Sequence, residues 1–170
     1  VDRLVGSEMC IRDRINSETN CISCNKAEGK LKNLISNLND QNIPGTVGIG
    51  HTRWATHGKP EVKNAHPHID SSGTIAVVQN GIIENFQDLK NKLEKEGIVF
   101  NSETDTEVIP HLIERELNTL SKLNLENNGS TLLVAVRNVI SDLEGSYALA
   151  VLWSGAPTSL VVARRQAPLI

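Results

Sequence analysis

Hydrophobic positions recur along the chain with two spacings, one typical of strands and the other typical of helices. Short apolar runs predict strands at residues 20–23, 45–51, 74–78, 98–100, 147–153 and 160–163. Apolar residues three and four positions apart predict helices at residues 29–38, 84–96, 102–117 and 131–143. Because these strands and helices do not alternate one by one, the pattern favours an α+β fold over a doubly wound parallel sheet.

Several residues at the predicted helix ends carry local signals. Gly97 follows the second helix and is a plausible C-cap. Thr104, with Glu107 three residues later, has the pattern of a capping box and predicts the start of the third helix. Pro110 falls inside that helix, where we expect it to remove one backbone hydrogen bond or cause a kink. Residues 118–130 are predicted to be a polar connection to the fourth helix.

The first fourteen residues differ from the rest of the chain. VDRLVGSEMCIRDR mixes charged and apolar residues without a period of 2 or 3.6, so we expect neither a strand nor a helix there. The string resembles translated sequencing-adapter sequence. We therefore expect residues 1–14 to be non-native and residues 15–170 to form one partial domain.

Composition narrows the function classes. The chain has 170 residues, enough for one domain with a core, and its net charge of −3 gives no electrostatic reason to expect nucleic acid or an anionic membrane as partner. No signal peptide and no membrane-spanning run is evident in the sequence. Three cysteines cannot form an even disulfide framework. These features predict a cytoplasmic protein.

The segment at residues 51–58 has the highest density of candidate functional residues. It follows a predicted strand, so we expect its side chains to lie at the end of that strand, where they can contact a ligand. Arg53 could bind a carboxylate through two parallel hydrogen bonds, although a surface ion pair is the alternative. Trp54 would by default belong to the core.

Two further positions have both a structural and a functional interpretation. Asn80-Gly81 is a turn dipeptide that would end the strand at residues 74–78, but its side-chain amide and backbone N–H could also form an oxyanion hole. Asp105 could stabilise the N-terminus of a helix, or it could pair with the ammonium group of a ligand.

Four histidines and two cysteines raise the possibility of a metal site, with the cysteines at a C-x-x-C spacing. The set consists of His51, His57, His66, His68, Cys21 and Cys24. A zinc ribbon needs a second C-x-x-C, and none exists in the sequence. We therefore expect no metal, and we expect the histidines to make structural hydrogen bonds in a loop.

Four motifs in order carry a family resemblance. They are HTRWATHG at residues 51–58, NAHPH at 64–68, QNGIIEN at 79–85 and SETDTEVI at 102–109. From about residue 31 to residue 170, the chain resembles the class II glutamine amidotransferase domain. The first and last motifs favour the branch that makes glucosamine 6-phosphate over the branch that acts on phosphoribosyl diphosphate.

The resemblance implies a fold and a set of roles. The fold would be an N-terminal nucleophile hydrolase sandwich, with two antiparallel sheets between helical layers. Arg53 would bind the glutamine α-carboxylate and Asp105 the α-ammonium group, while Asn80 and Gly81 would form the oxyanion hole. The glutamine pocket would be lined by Trp54 and Thr56, and His57 would lie beside it.

The resemblance also implies the chemistry and the partners. An N-terminal cysteine, within a Met-Cys-Gly-Ile-Val-Gly start, would attack the side-chain amide of L-glutamine and release ammonia. Sugar-isomerase domains of the same full-length chain would use that ammonia to convert fructose 6-phosphate to glucosamine 6-phosphate. The family implies no cofactor, and it implies a homodimer when the chain is full length.

The Met-Cys-Gly-Ile-Val-Gly start does not occur in this sequence. We therefore predict that the 170-residue chain alone binds glutamine poorly and does not hydrolyse it, and an assay of glutamate release checks this. The sequence also permits a different class of function, in which a non-catalytic relative binds an amino acid through Arg53 and Asp105.

Overall fold

The computed structural model describes residues 9–15, 21–28, 31–38, 47–53 and 61–168. Seven strands lie in this part of the chain: β1 (Met9–Ile15), β2 (Ile22–Glu28), β3 (Gly48–Arg53), β4 (His68–Ile69), β5 (Ile75–Ile83), β6 (Gly145–Trp153) and β7 (Val161–Arg165). Its four α-helices are α1 (Leu31–Leu38), α2 (Phe86–Lys95), α3 (Val108–Lys122) and α4 (Gly129–Asp142).

The described strands form two antiparallel sheets. The first has the order β2-β1-β3, and the second has the order β4-β5-β6-β7. The long β5–β6 pairing runs from Ile75 opposite Trp153 to Ile83 opposite Gly145. This pairing places every residue of β5 beside a partner on β6 and makes the two strands the centre of the domain.

The apolar run in β5 is continuous because both faces of the strand are covered. Ile75 and Val77 belong to the large core that β5 shares with the helices. Ala76 and Val78 face the other way and pack with Ile49 of β3 in the first sheet. Since successive side chains of a strand point to opposite faces, a strand between two apolar layers has no polar alternation.

Helices close the two outer faces of the paired sheets. On one side, α2, α3 and α4 bury apolar residues against β5, β6 and β7. On the other side, Leu34 of α1 packs on Ala27 of β2. The order of layers is helix, sheet, sheet, helices, which confirms the sandwich that the family resemblance implies and the α+β class that the pattern predicts.

Two strand predictions are wrong. We expected neither strand nor helix within residues 1–14, but the backbone of residues 9–14 belongs to β1, which pairs with β2 and β3 along its length. The pairing of β1 with a strand on each of its edges outweighs the lack of alternation between apolar and polar residues in its sequence. Residues 98–100 form no strand, because the Ile98 N–H bonds to the Leu93 carbonyl and continues the end of α2. Gly97, with φ +90°, makes this ending possible.

Both ends of α3 also differ from the prediction. The helix begins at Val108, so Thr104 lies in the preceding loop and there is no capping box. Pro110 is consequently in the first turn, where a backbone N–H has no partner within the helix and proline is tolerated. The helix extends to Lys122, so residues 118–122 are helical and do not belong to the polar connection.

Candidate functional site

Three consecutive residues of β5 are exposed in a strand that is otherwise buried. Residues 75–79 and Ile83 are buried, whereas Asn80, Gly81 and Ile82 are exposed. On one edge of β5, the short strand β4 pairs only with Ala76 and Val77. Beyond that point no strand in the described part of the chain covers this edge. The exposed step of β5 that Asn80 and Gly81 form is therefore open to a ligand on this edge of the strand. The opposite edge of β5 pairs with β6.

The structure corrects the expectation of a turn at Asn80-Gly81. The strand continues through both residues, with Asn80 opposite Ala148 and Gly81 opposite Tyr147. Gly81 has φ +103°, and a Cβ atom there would lie 2.1 Å from the backbone oxygen of Ser146. The positive φ that makes glycine common in turns is used here inside a strand, where the backbones of β5 and β6 approach closely.

Asp105 lies beside this step because its loop is fastened to β5 on both sides of Asn80-Gly81. The Asp105 Oδ2 atom accepts a hydrogen bond from the Ile83 N–H at 2.7 Å. The neighbouring Thr106 hydroxyl donates to the Gln79 side-chain oxygen. Residues 79 and 83 bracket the exposed step, so the loop cannot shift along the strand without breaking one of these bonds.

Asp105 is a buried carboxylate, with 4% of its surface exposed. None of the ion pairs in the described part of the chain involves it. A buried charge is costly unless a partner compensates it, and an acceptor-only carboxylate is best compensated by a donor that carries positive charge. The arrangement is therefore suited to holding the ammonium group of a ligand close to Asn80-Gly81.

His51 connects the first sheet to the same step. Its Nε2 atom lies 2.8 Å from Oδ1 of Asn80. Its ring packs on the ring of His66, with a centroid distance of 4.3 Å and an angle of 37° between the planes. His66 Nδ1 in turn accepts the Gln79 N–H at 3.3 Å. Strand β3 is thus joined to Asn80 directly through His51, and to Gln79 indirectly through the ring of His66.

A buried polar network fixes the loop that carries Asp105. The Thr104 hydroxyl lies 2.9 Å from Nε2 of His68 and 2.9 Å from the Ser102 hydroxyl. Glu107 accepts hydrogen bonds from the Asn101 N–H at 2.8 Å and the Ser102 N–H at 2.7 Å. These bonds use the Glu107 carboxylate at the loop, which is why it does not cap α3.

Glu107 makes this network sensitive to acid. Burial alone would raise the pKa of Glu107, but the His111 ring, whose Nε2 lies 4.0 Å from Oε1 of Glu107, and the hydrogen bonds from Asn101 and Ser102 outweigh burial and lower the pKa to about 2. A carboxylate whose pKa is depressed in the folded state stabilises that state above its unfolded pKa of about 4.5. We expect the 170-residue chain to lose on the order of 3 kcal/mol of its free energy of unfolding as pH falls from 5 to 2.

Denaturant unfolding between pH 6 and pH 2 checks this expectation. In Glu107→Gln the charge is absent at every pH, so the contribution of this group to the pH dependence should disappear. Glu94→Gln removes an exposed carboxylate from α2 and serves as the matched control. Equal pH slopes in Glu107→Gln and the unmodified chain would contradict the assignment.

The structure brings together some of the predicted site residues. Asn80, Gly81 and Asp105 lie at one site. The backbone of Arg53 ends β3, two residues beyond His51. The remaining three predicted residues, Trp54, Thr56 and His57, lie outside the described residues.

His51, Gln79 and Thr106 are part of the site, but the sequence did not single them out for it. The expectation that the histidines lie in a loop is wrong for His51 and His68, which belong to β3 and β4. In residues 9–15, 21–28, 31–38, 47–53 and 61–168, no group of three His, Cys, Asp or Glu side chains is arranged to hold a metal ion. None of the described helices has the length and apolar character needed to cross a bilayer.

Comparisons with known proteins agree with this geometry. Residues 51–169 match the family model described as glutamine amidotransferase domain. The glutamine–fructose-6-phosphate aminotransferase (isomerizing) of Thermosynechococcus vestitus is 53% identical over 147 residues, which are 86% of this chain and 22% of that protein. The enzyme of the same name from Pyrococcus horikoshii is 52% identical over 145 residues, 85% of this chain and 23% of that protein.

Solved structures show the same fold. A glutamine phosphoribosylpyrophosphate amidotransferase from B. subtilis, complexed with ADP and GMP, has a TM-score of 0.69 and 27% identity, covering 94% of this chain and 31% of that one. A structure described as the allosteric regulatory enzyme of purine biosynthesis has a TM-score of 0.72 and 28% identity, with the same coverage. These similarities confirm the sandwich of N-terminal nucleophile hydrolase type.

The present chain spans about a fifth of the length of the curated relatives that it matches. The matched family model covers most of the chain and includes the strand step at Asn80-Gly81 and the loop at Asp105. The chain belongs to the glutamine amidotransferase domain family.

Proposed function

We propose that this chain is the glutamine-hydrolysing part of a glutamine–fructose-6-phosphate aminotransferase. The observation that carries the proposal is the fastening of the Asp105 loop on both sides of Asn80-Gly81. These bonds hold a buried carboxylate beside the exposed residues Asn80 and Gly81, which supports a site for an ammonium group next to an oxyanion. The identity of about one half to relatives of that name supports the choice of enzyme.

In the proposed reaction, the thiolate of the family's N-terminal cysteine attacks the side-chain carbonyl carbon of L-glutamine. The carbonyl oxygen becomes negatively charged and is stabilised by the Asn80 side-chain amide and the Gly81 N–H. The α-amino group of that cysteine passes the thiol proton to the amide nitrogen, ammonia leaves, and water hydrolyses the glutamyl thioester to glutamate and the free thiol. The longer gene product would use the ammonia to convert fructose 6-phosphate to glucosamine 6-phosphate.

The other proposed roles concern binding of the amino acid. Asp105 holds the α-ammonium group, and Arg53 binds the α-carboxylate through its two parallel donors. We propose that Trp54 and Thr56 line the glutamine pocket and that His57 adjoins it, as the family resemblance implies. We also propose that the gene product is cytoplasmic and forms a homodimer, as the family resemblance implies, and light scattering of the purified gene product measures the oligomeric state.

Replacing Asp105 by asparagine tests whether its carboxylate binds the α-ammonium group of glutamine. Asparagine keeps an oxygen acceptor for the Ile83 N–H but removes the negative charge. We expect the affinity of the full-length gene product for L-glutamine to fall about tenfold to a hundredfold, since hydrogen bonds to charged groups contribute about 1.5–3 kcal/mol. Calorimetry measures the Kd, and Asp88→Asn on the exposed surface of α2 is the matched control.

The same preparation separates the two classes of function. Release of glutamate and ammonia from L-glutamine supports the enzyme, whereas binding of L-glutamine without release supports the non-catalytic amino-acid-binding relative. An Asp105→Asn protein that binds and hydrolyses glutamine like the unmodified protein would show that the ammonium group is held elsewhere.

A further inference from the structure

We propose that His51 is a positioning residue for the oxyanion hole, and this inference rests on the proposed function. Its Nε2–H donates to the Oδ1 atom of Asn80, and this bond turns the Nδ2 amino group of Asn80 toward the substrate oxygen. The observation behind it is the distance of 2.8 Å between Nε2 of His51 and Oδ1 of Asn80.

The two ends of the Asn80 amide have opposite effects on an oxyanion. The amino end donates a hydrogen bond and stabilises negative charge, whereas the carbonyl end would repel it. Asn80 is exposed, so burial does not select one orientation of its side chain. A donor fixed on the carbonyl oxygen selects the catalytic orientation, and His51 is placed to be that donor.

The surroundings of His51 support its role as a donor. The neighbouring His66 uses Nδ1 to accept the Gln79 N–H, so that nitrogen of His66 carries no proton and the ring is neutral. His66 is also 95% buried, since 5% of its surface is exposed. The neutral ring of His66 therefore does not oppose a proton on the neighbouring His51. His51 can donate from Nε2 either as the neutral Nε2–H tautomer or as imidazolium.

The contact also joins β3 and β5, which belong to different sheets. His51 and the backbone of Arg53 lie on β3, while Asn80 lies on β5. A shift between the sheets would break the bond from His51 to Asn80. The orientation of the oxyanion donor is thus linked to the packing of one sheet on the other.

A pair of substitutions at His51 distinguishes positioning from simple packing. The amide nitrogen of glutamine is as many bonds from Cβ as Nε2 of histidine, whereas that of asparagine corresponds to Nδ1 and cannot reach Asn80. In the full-length gene product we expect His51→Asn to lower kcat for glutamine hydrolysis by about tenfold to a hundredfold, because small displacements of catalytic groups are amplified in the rate. His51→Gln should stay within about threefold of the unmodified enzyme, and KM should change little in both variants.

A double variant shows whether His51 acts through Asn80. Once Asn80 is alanine, no amide remains to be oriented, so adding His51→Asn should lower kcat no further. Thermal unfolding of each variant establishes that it is folded. Equal kcat values for the asparagine and glutamine variants would overturn the inference, and so would additive losses in the double variant.

A second measurement does not depend on hydrolysis. Nitrogen chemical shifts of the imidazole rings in the 170-residue chain identify the tautomer of His51, with His51→Gln used to assign its signals. A proton on Nε2 is expected, and a neutral ring that carries its proton only on Nδ1 would overturn the inference. If the unmodified gene product releases no glutamate, the proposed function fails, while the tautomer still decides whether His51 is a donor to Asn80.

Discussion

Replacement of Asn80 by alanine is expected to lower kcat for glutamine hydrolysis by about 10²–10³ in the full-length gene product, the usual effect of removing one oxyanion donor. The negative charge develops on the glutamine side-chain oxygen only in the transition state, so KM for glutamine should remain nearly constant. Steady-state assays of glutamate release measure both constants. Asn80 is exposed, so its truncation leaves no cavity in the core.

Asn91→Ala is a suitable control for this substitution. It removes an exposed asparagine from α2, away from the site, and should leave kcat unchanged. A rise in KM without a fall in kcat for Asn80→Ala would contradict an oxyanion role. It would mean that the Asn80 amide binds the ground state and the transition state of glutamine equally.

Substitution of Gly81 by alanine is expected to disrupt the centre of the domain as well as the site. The added Cβ atom would lie 2.1 Å from the Ser146 oxygen and 2.9 Å from Cα of Tyr147. These are backbone atoms of the paired strand, so no side-chain rotation relieves the contact. Together with the positive φ, the strain should destabilise the fold by about 3 kcal/mol or more and remove detectable hydrolysis.

Gly97→Ala separates the effect of the backbone angle from that of the contact. Gly97 also has a positive φ, +90°, but a Cβ atom there would meet nothing within 4 Å. This variant should lose about 1–2 kcal/mol and keep its activity. Hydrogen exchange of the backbone amides then locates the damage, which should reach β5 and β6 in Gly81→Ala and stay at the end of α2 in Gly97→Ala. Identical exchange in both variants would show that the close approach to Ser146 has no consequence.

The sequence predicted the layers of the fold better than the ends of its elements. The apolar run in β5 indicated a buried strand, and Ile75 and Ala76 do face two different apolar cores. Asn80-Gly81 was expected to end that strand because the dipeptide favours turns. The strand nevertheless continues, since β6 offers a partner to each residue up to Ile83. Pairing over a long sequence separation outweighed a local preference.

The error at α3 has a similar origin. The sequence of Thr104 and Glu107 matches a capping box, but a capping box uses only neighbours along the chain. In the structure Thr104 contacts His68, which lies 36 residues earlier, and Glu107 holds the loop at Ser102. A local pattern does not reveal such distant partners, and placing the helix start too early also placed Pro110 too deep in the helix.

For the site, the individual residue types were informative but their spatial relation was not. Singly, Asn80-Gly81 and Asp105 each had a structural interpretation, and only the order of four motifs assigned them to one family. The bond that places Asp105 beside β5 joins residues 22 positions apart, from Ile83 to Asp105. His51 was considered only as a metal ligand or a loop residue, because its contact with Asn80 connects two different sheets.

The two bonds that fasten the Asp105 loop have a consequence for the choice between amino acids of different length. They fix the carboxylate relative to Asn80-Gly81 along a single strand, through Gln79 on one side and Ile83 on the other. If Asp105 and Asn80-Gly81 have the proposed roles, the fold fixes the distance between the ammonium site and the oxyanion site. Asparagine, which is one methylene shorter than glutamine, could reach either site but would be misplaced at the other, and a displacement of about 1 Å can reduce a rate a hundredfold. The separation of the two sites along β5 therefore selects the substrate by its length. Enlarging the pocket alone would not change this selectivity.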